Sequence, residues 1–313
     1  MDFPPLDFTK IRTIPLQRRA HKVQASALAK PWVKGGSLAR FLDSIPHILV
    51  AEDFRRVVEA TVTAVRNQRP VVVMMGAHVI KCGLNPILID LMRRGAINAI
   101  ATNGAGAIHD FELALAGETS EDVQTGLDDG TFGMVDETGR LMNTALANGV
   151  RQGWGAGRAL GEAIRQAGYA HSHLSILQEG VARNIPVTIH VAIGTDIIHQ
   201  QPTADGAVLG AASYRDFQSF AAVVARLEGG VVLNIGSAVI MPEVFLKALT
   251  VARNLGNVVD HFTTATFDMN RHYRPTENAV RRPTHKGGQG YYIIGHHELL
   301  VPLWAAAVIE QLG

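Results

Sequence analysis

Six short apolar runs, each ending in glycine or a polar cluster and separated by longer amphipathic stretches, set the rhythm of the chain from Arg69 onward. They are Val71–Met75, Ile97–Thr102, Pro186–Ala192, Val231–Ile235, Phe262–Phe267 and Tyr291–Ile294. Runs this short, bounded by turn residues, read as strands covered on both faces. Between them the spacing predicts helices over Asn85–Arg94, Gly133–Ala147, Ser172–Arg183, Tyr214–Leu227, Pro242–Leu255 and His297–Gln311. Pro242 suits a first helical turn, and Gly256 suits the end of the same helix. Strands joined through helices pair in parallel, so the expected fold is α/β with a doubly wound parallel sheet.

The 313 residues are enough for a substantial core, and 47% hydrophobic against 18% charged residues excludes a disordered chain. Residues 1–50 are basic and broken by prolines; they are expected to form an arm that packs on a single α/β nucleotide-binding-type domain over 51–313. A net charge of +1 gives no general attraction to nucleic acid or to a membrane, so neither is expected as a partner. No apolar run reaches spanning length, no basic segment leads into an apolar stretch near the start, and Cys82 has no second cysteine to pair with. Together these predict a cytoplasmic protein.

Open parallel sheets bind ligands beyond the carboxyl ends of their strands. The six predicted ends are Gly76-Ala77-His78, Thr102-Asn103-Gly104-Ala105-Gly106, Gly194-Thr195-Asp196, Gly236-Ser237, Asp268 and Gly295-His296-His297. Strand-to-helix turns favour glycine and small caps in any case, but that preference does not account for histidine or aspartate at four ends. Asn103 to Ala107 opens toward a helix expected to start near His109, and its amides would make an anion-binding concavity; Ile108 and His109 stand where a dinucleotide fingerprint would need its third glycine. Asp196 is either a helix cap or a carboxylate aimed into the crevice, and with His199 it would form a metal or acid–base pair. His78, His109, Asp196, His199, His296 and His297 are the raw material for a metal site, although their spacing matches no standard zinc motif. Cys82, read as lying at a helix start, is expected to be a structural thiol because no histidine partner is placed beside it.

Between Asp268 and Lys286 the chain carries Arg271, Arg274, Arg281, Arg282 and Lys286, with His272 and His285, against the acids Asp268 and Glu277. A solvated basic loop is the plain reading. At the end of a core strand, guanidinium forks also recognise carboxylate or phosphate, which points to a small anionic substrate bound by Arg271 and Arg274 with His297 nearby.

The stretch from Met75 through Gly83, Ile89 to Gly95, and Thr102 to Asp110 resembles the first nucleotide-binding segment of deoxyhypusine synthases. Gly194-Thr195-Asp196, Ile235 to Val239 and Gly295 to Leu303 fall in the family's order, so the likeness covers residues 70–312. It implies an NAD-binding parallel sheet, NAD as cofactor, and a homo-oligomer with active sites between subunits. His78, Lys81, Thr102, Gly104, Gly106 and Asp196 would surround the nucleotide, with Asn103, Gly236 and Ser237 beside them. The family's substrate-bearing lysine falls on Tyr292, and Lys286 lies six residues earlier. Ile108 and His109 replace adjacent acids, and the Arg271–Arg282 stretch replaces an acidic polyamine-binding segment, where a cationic polyamine would be repelled. Deoxyhypusine synthesis is therefore not expected. The leading expectation is an NAD-dependent enzyme acting on a small anionic substrate by dehydrogenation coupled to transfer or elimination. Its catalytic residues would be His109 as acid–base, Asp196 and His296. A metal-dependent hydrolase or lyase, and a non-catalytic nucleotide-binding protein, are the alternatives.

Overall fold

Val71–Met75 (β1) and Val231–Ile235 (β4) are buried along their whole length, which is why neither shows the alternation of a half-exposed strand. They lie side by side at the centre of a six-stranded sheet completed by Ala99–Asn103 (β2), Val187–His190 (β3), Thr263–Asp268 (β5) and Gln289–Ile294 (β6). The computed structural model describes residues Met1–Gly313. Strand order is β3-β2-β1-β4-β5-β6 and every pairing is parallel. The winding reverses between β1 and β4, so a crevice opens beyond their carboxyl ends, the usual ligand position of a doubly wound sheet.

The helices are Leu38–Ser44 (α1), Leu49–Arg66 (α2), His78–Lys81 (α3), Asn85–Arg93 (α4), Gly104–Ala116 (α5), Val123–Asp129 (α6), Asp136–Arg151 (α7), Ala156–Ala167 (α8), Ile176–Arg183 (α9), Gly206–Val224 (α10), Ile240–Asn254 (α11) and His297–Leu312 (α12). One face of the sheet packs Val72, Met74 and Val232 against Phe220 and Val224 of α10 and Phe245 and Leu249 of α11. Pro242 sits in the first turn of α11, and Gly256 follows its end with φ 87°.

Three expectations need correction, and one helix is added. The helix expected near His109 starts at Gly104, so the glycines after β2 form its first turn, with Asn103 as the N-cap accepting from the Gly106 amide at 2.9 Å. The helix expected from Tyr214 starts at Gly206, where Asp205 caps the Ala207 and Val208 amides. Residues 156–167 are helical without having been foreseen. Cys82 caps the carboxyl end of α3, three residues before α4 begins, with its thiol 3.6 Å from Glu298; burial first, and then that carboxylate, push the thiol above its ordinary range.

The chain divides into two units, Met1–Glu52 and Asp53–Gly313. The first has three single 3-10 turns and α1, and none of its residues is buried. Within it, Trp32 and Phe41 meet edge to face at 5.8 Å.

Two buried aspartates tie the second unit together. Asp110 of α5 accepts from Asn85 Nδ2, Ser175 Oγ and the amides of Ile176 and Leu177, so it closes the N-terminus of α9. Asp216 of α10 accepts from the amides of Gly157, at the start of α8, and Ile189, on the outer edge of β3, both at 2.8 Å. Ser213 continues the cover: its Oγ accepts from the Val191 amide and donates to the Ile189 carbonyl. Burial raises the Asp216 carboxyl to about 7, with the backbone amides pulling it back. A folded pKa above the unfolded value means a contribution complete below about pH 4 and lost as pH rises through 7. Asp216→Asn, which cannot ionise, should therefore show a stability deficit relative to the native chain that is larger at pH 5.5 than at pH 8. Urea titrations at the two pH values measure it, and equal deficits would refute the displaced titration.

Candidate active site

A cavity of about 710 Å³ opens beyond β2 and β3, walled by α5, the segment after it, α7 and the turn carrying Asp196. Its size is that of a small-molecule site. Lys81, Ala105, His109, Glu112, Thr119 and Asp196 line it, with Leu115, Ala116, Val123, Phe132 and Val135 as apolar wall. Glu118, Glu121 and Glu137 add carboxylates, so five acids face one lysine.

His109 is fixed there by a hydrogen-bonded chain. The Thr119 hydroxyl donates to Glu112 Oε2 at 2.5 Å, and Thr138 donates to Glu112 Oε1 at 3.0 Å. With its proton committed to the carboxylate, Thr119 Oγ1 can only accept from His109 Nδ1, 2.7 Å away. That sets the tautomer: Nδ1 carries the proton and Nε2 the free lone pair. Burial, helped by Lys81 and opposed by Glu112, holds the imidazole below its usual pKa, so it is neutral at pH 7. The arrangement is a general base with its orienting partners. Glu112, Thr119 and Thr138 were not foreseen from sequence; the three-residue spacing from His109 on one helix signals Glu112, and nothing local signals the two threonines.

Asp196 takes the first of the roles considered for it, the cap. It begins the 3-10 turn Ile197–Gln200 in a capping arrangement with His199, and its carboxylate is also seated on the first turn of α5. A Cβ on Gly104 would lie 1.9 Å from Asp196 Oδ2, and the Ala105 amide donates to this carboxylate. Burial raises its pKa, and His199, Thr195 and that amide pull it down again. His199 Nδ1 accepts from the amides of Gly194 and Asp196 at 3.0 and 3.3 Å, so its proton resides on Nε2, 3.7 Å from Asp196 Oδ2. A second proton on this ring would break both amide bonds. The pair is a fixed donor beside a carboxylate, and the acid–base couple considered from sequence is not what the geometry builds.

A second group gathers at the β1/β4 switch point. A Cβ on Gly76 would fall 2.3 Å from the Gly236 carbonyl, and Gly236, at φ 63°, lies against His297 Nε2. His297 is buried with Nδ1 unpartnered, its ring 6.1 Å from that of His78. Ser237 Oγ accepts from the Met241 amide in the first turn of α11. Asp268, buried at the end of β5, accepts from the Asn270 amide and stands 3.6 Å from His272 Nε2. His296 is outside this group: its side chain is 60% exposed and faces Glu298 at 3.8 Å. Thr102 is turned under Gly106, with its hydroxyl unpartnered. Helix α3 links the two groups, carrying His78 on the switch-point side and Lys81 on the cavity side. No three His, Cys, Asp or Glu side chains converge as a metal site.

The basic stretch is divided. Arg271 lies over the Tyr292 ring at 4.6 Å, and Arg274 pairs with Glu243 at 3.4 Å. Pro275–Arg281 forms a π-helical turn, not a loop, that carries the following residues to the amino ends of the strands, where Gln289 pairs with Thr263 at the beginning of β5. Tyr292, at the position of the family lysine, donates to the Asn270 carbonyl and accepts from the His272 amide.

No family model matches the chain, and no curated protein matches it in sequence. Solved structures match its fold. A candidate deoxyhypusine synthase from Entamoeba histolytica superposes with TM-score 0.56 at 9% identity, over 90% of this chain and 96% of that one. ArgZ, an arginine dihydrolase from the ornithine-ammonia cycle in cyanobacteria, gives 0.51 at 18% identity, over 85% of this chain and 34% of its own. AgrE, in its ternary complex with ornithine and NAD+, gives 0.50 at 17%, over 83% and 33%. The chain thus spans about a third of the length of ArgZ and AgrE. These likenesses establish the α/β fold shared with deoxyhypusine synthase-like and NAD-using enzymes.

Proposed function

We propose that this protein is an NAD-dependent enzyme in which His109 moves a proton to or from a small substrate held in the cavity beyond β2 and β3. The observation that carries the reading is the Glu112–Thr119–His109 chain, which leaves Nε2 as the only unengaged ring nitrogen of a neutral imidazole lining that cavity. A solely structural histidine does not need its tautomer set by a half-buried carboxylate lining the same cavity.

For the cofactor, two turns compete. The turn after β2 is already filled by the Asp196 carboxylate, which repels a phosphate there. The turn after β4 fits better: Gly236 has a positive φ, no carboxylate is seated on it, and it leads into the fifteen-residue α11. Gly236, Ser237 and the neighbouring amides would hold the nucleotide phosphates, with His78 and His297 beside them. NAD, when bound, supplies a hydride acceptor. Lys81 would meet the substrate's single anionic group, while the five carboxylates of the cavity exclude a polyanion. His109 Nε2 would take the proton released on oxidation, and Thr119 and Glu112 would keep that ring oriented while it is charged. Assembly into a homo-oligomer is part of the same reading.

Calorimetric titration with NAD tests the cofactor. Saturable micromolar binding, worth about 8 kcal/mol, is expected, and Gly236→Ala, whose new Cβ presses on His297, should weaken it while the circular dichroism spectrum stays native. Absence of any binding heat at several temperatures would overturn the NAD assignment.

A further inference from the structure

We propose a second ligand site, for a small multiply charged anion, at the edge of the sheet opposite the catalytic cavity. Arg253, Arg281, Arg282, His285 and Lys286 surround a depression of about 310 Å³. Arg253 ends α11, and the other four precede β6, so all lie at the amino ends of the strands, away from His109.

Much of this charge is held in place by neutral acceptors. Arg253 donates to the carbonyls of Val259 and Pro283, and Arg282 donates to Asn278 Oδ1 and the Tyr273 hydroxyl. The carboxylates present are shared: Asp260 stands 3.5 Å from both Arg253 and Lys286, and Glu277 pairs with both Arg281 and Arg282. Four positive charges therefore meet two negative ones, and the guanidinium groups of Arg253 and Arg282, already held by hydrogen bonds, lose little freedom on closing round an oxyanion. An isolated surface arginine gives no such excess. A depression of this size suits a phosphate ester, a pyrophosphate or a small di- or tricarboxylate, and the site is independent of the NAD reading.

The test is calorimetry of the full chain with inorganic pyrophosphate and, separately, citrate, in chloride buffer at constant ionic strength. Expected is saturable binding of one anion per chain, weakened about tenfold or more when two charge-assisted contacts are removed in the Arg281→Gln/Lys286→Gln double variant. His109→Asn should bind unchanged, which separates this site from the catalytic cavity. Pyrophosphate binding without citrate binding identifies a phosphate ligand, and the reverse a carboxylate. Failure of both anions to saturate, or binding indifferent to the double variant, overturns the proposal.

Discussion

Asp110→Ala should lower the unfolding free energy by about 4 kcal/mol, because it strands several buried polar groups at once. The carboxylate is buried and serves four donors from two parts of the chain: Asn85 at the start of α4, and the Ser175 hydroxyl with the amides of Ile176 and Leu177 at the start of α9. Burial lifts its pKa to about 6, against the pull of those four bonds, so at pH 7.5 the native form is the ionised one. Alanine would leave the first amides of α9 without acceptors and a void beside them. Asp110→Asn, keeping one acceptor oxygen, should lose less. Urea unfolding at pH 7.5 compares the three chains; an Asp110→Ala loss under about 1 kcal/mol would mean the site relaxes or hydrates, and that the clamp is not structural.

His109→Asn should reduce turnover on the native substrate by about a thousandfold, within the usual range for loss of a general base. Substrate affinity and folding should change little. Thr119→Val provides the more discriminating test, because it leaves the imidazole and removes what fixes its tautomer. Its turnover should fall by a smaller factor, and the pH profile should also change. In the native chain the basic form of His109 is lost only as pH falls through a value below the ordinary histidine range. Without the Thr119–Glu112 connection the acidic limb should move, whereas a purely structural Thr119 would change amplitude and leave the limb in place. Full turnover in His109→Asn would remove the histidine from the mechanism.

The strands were legible because the two central ones are buried on both faces, and continuous apolar runs have few other solutions. The glycine-rich helix starts were not. Gly104 reads as a loop residue until Asp196, ninety-two positions later, is seen to occupy the space of its side chain; Gly157 reads the same way until the Val187 carbonyl is found 1.7 Å from where its Cβ would be. His109 was legible as a titratable group just after a glycine-rich turn. Glu112 was within reach of the same reasoning, three residues further along α5, whereas Thr119 lies past the end of that helix and nothing local ties it to the histidine. The basic run misled for a related reason: Arg274 and Lys286 meet Glu243 and Asp260, acids contributed by distant segments, and the π-helical turn separates residues that sequence places together.

The covered edge of β3 also restricts how copies of this chain can associate. An open outer strand is a template on which another chain can add a strand of its own, in ordered assembly or in aggregation. Here that template is already used, since Asp216 takes the Ile189 amide and Ser213 takes both the Val191 amide and the Ile189 carbonyl. An incoming strand would have to displace three hydrogen bonds, one of them to a buried carboxylate, before forming any of its own. Continuous sheets running from subunit to subunit are disfavoured at this border, and any oligomer must join through helix faces, loops or its other border.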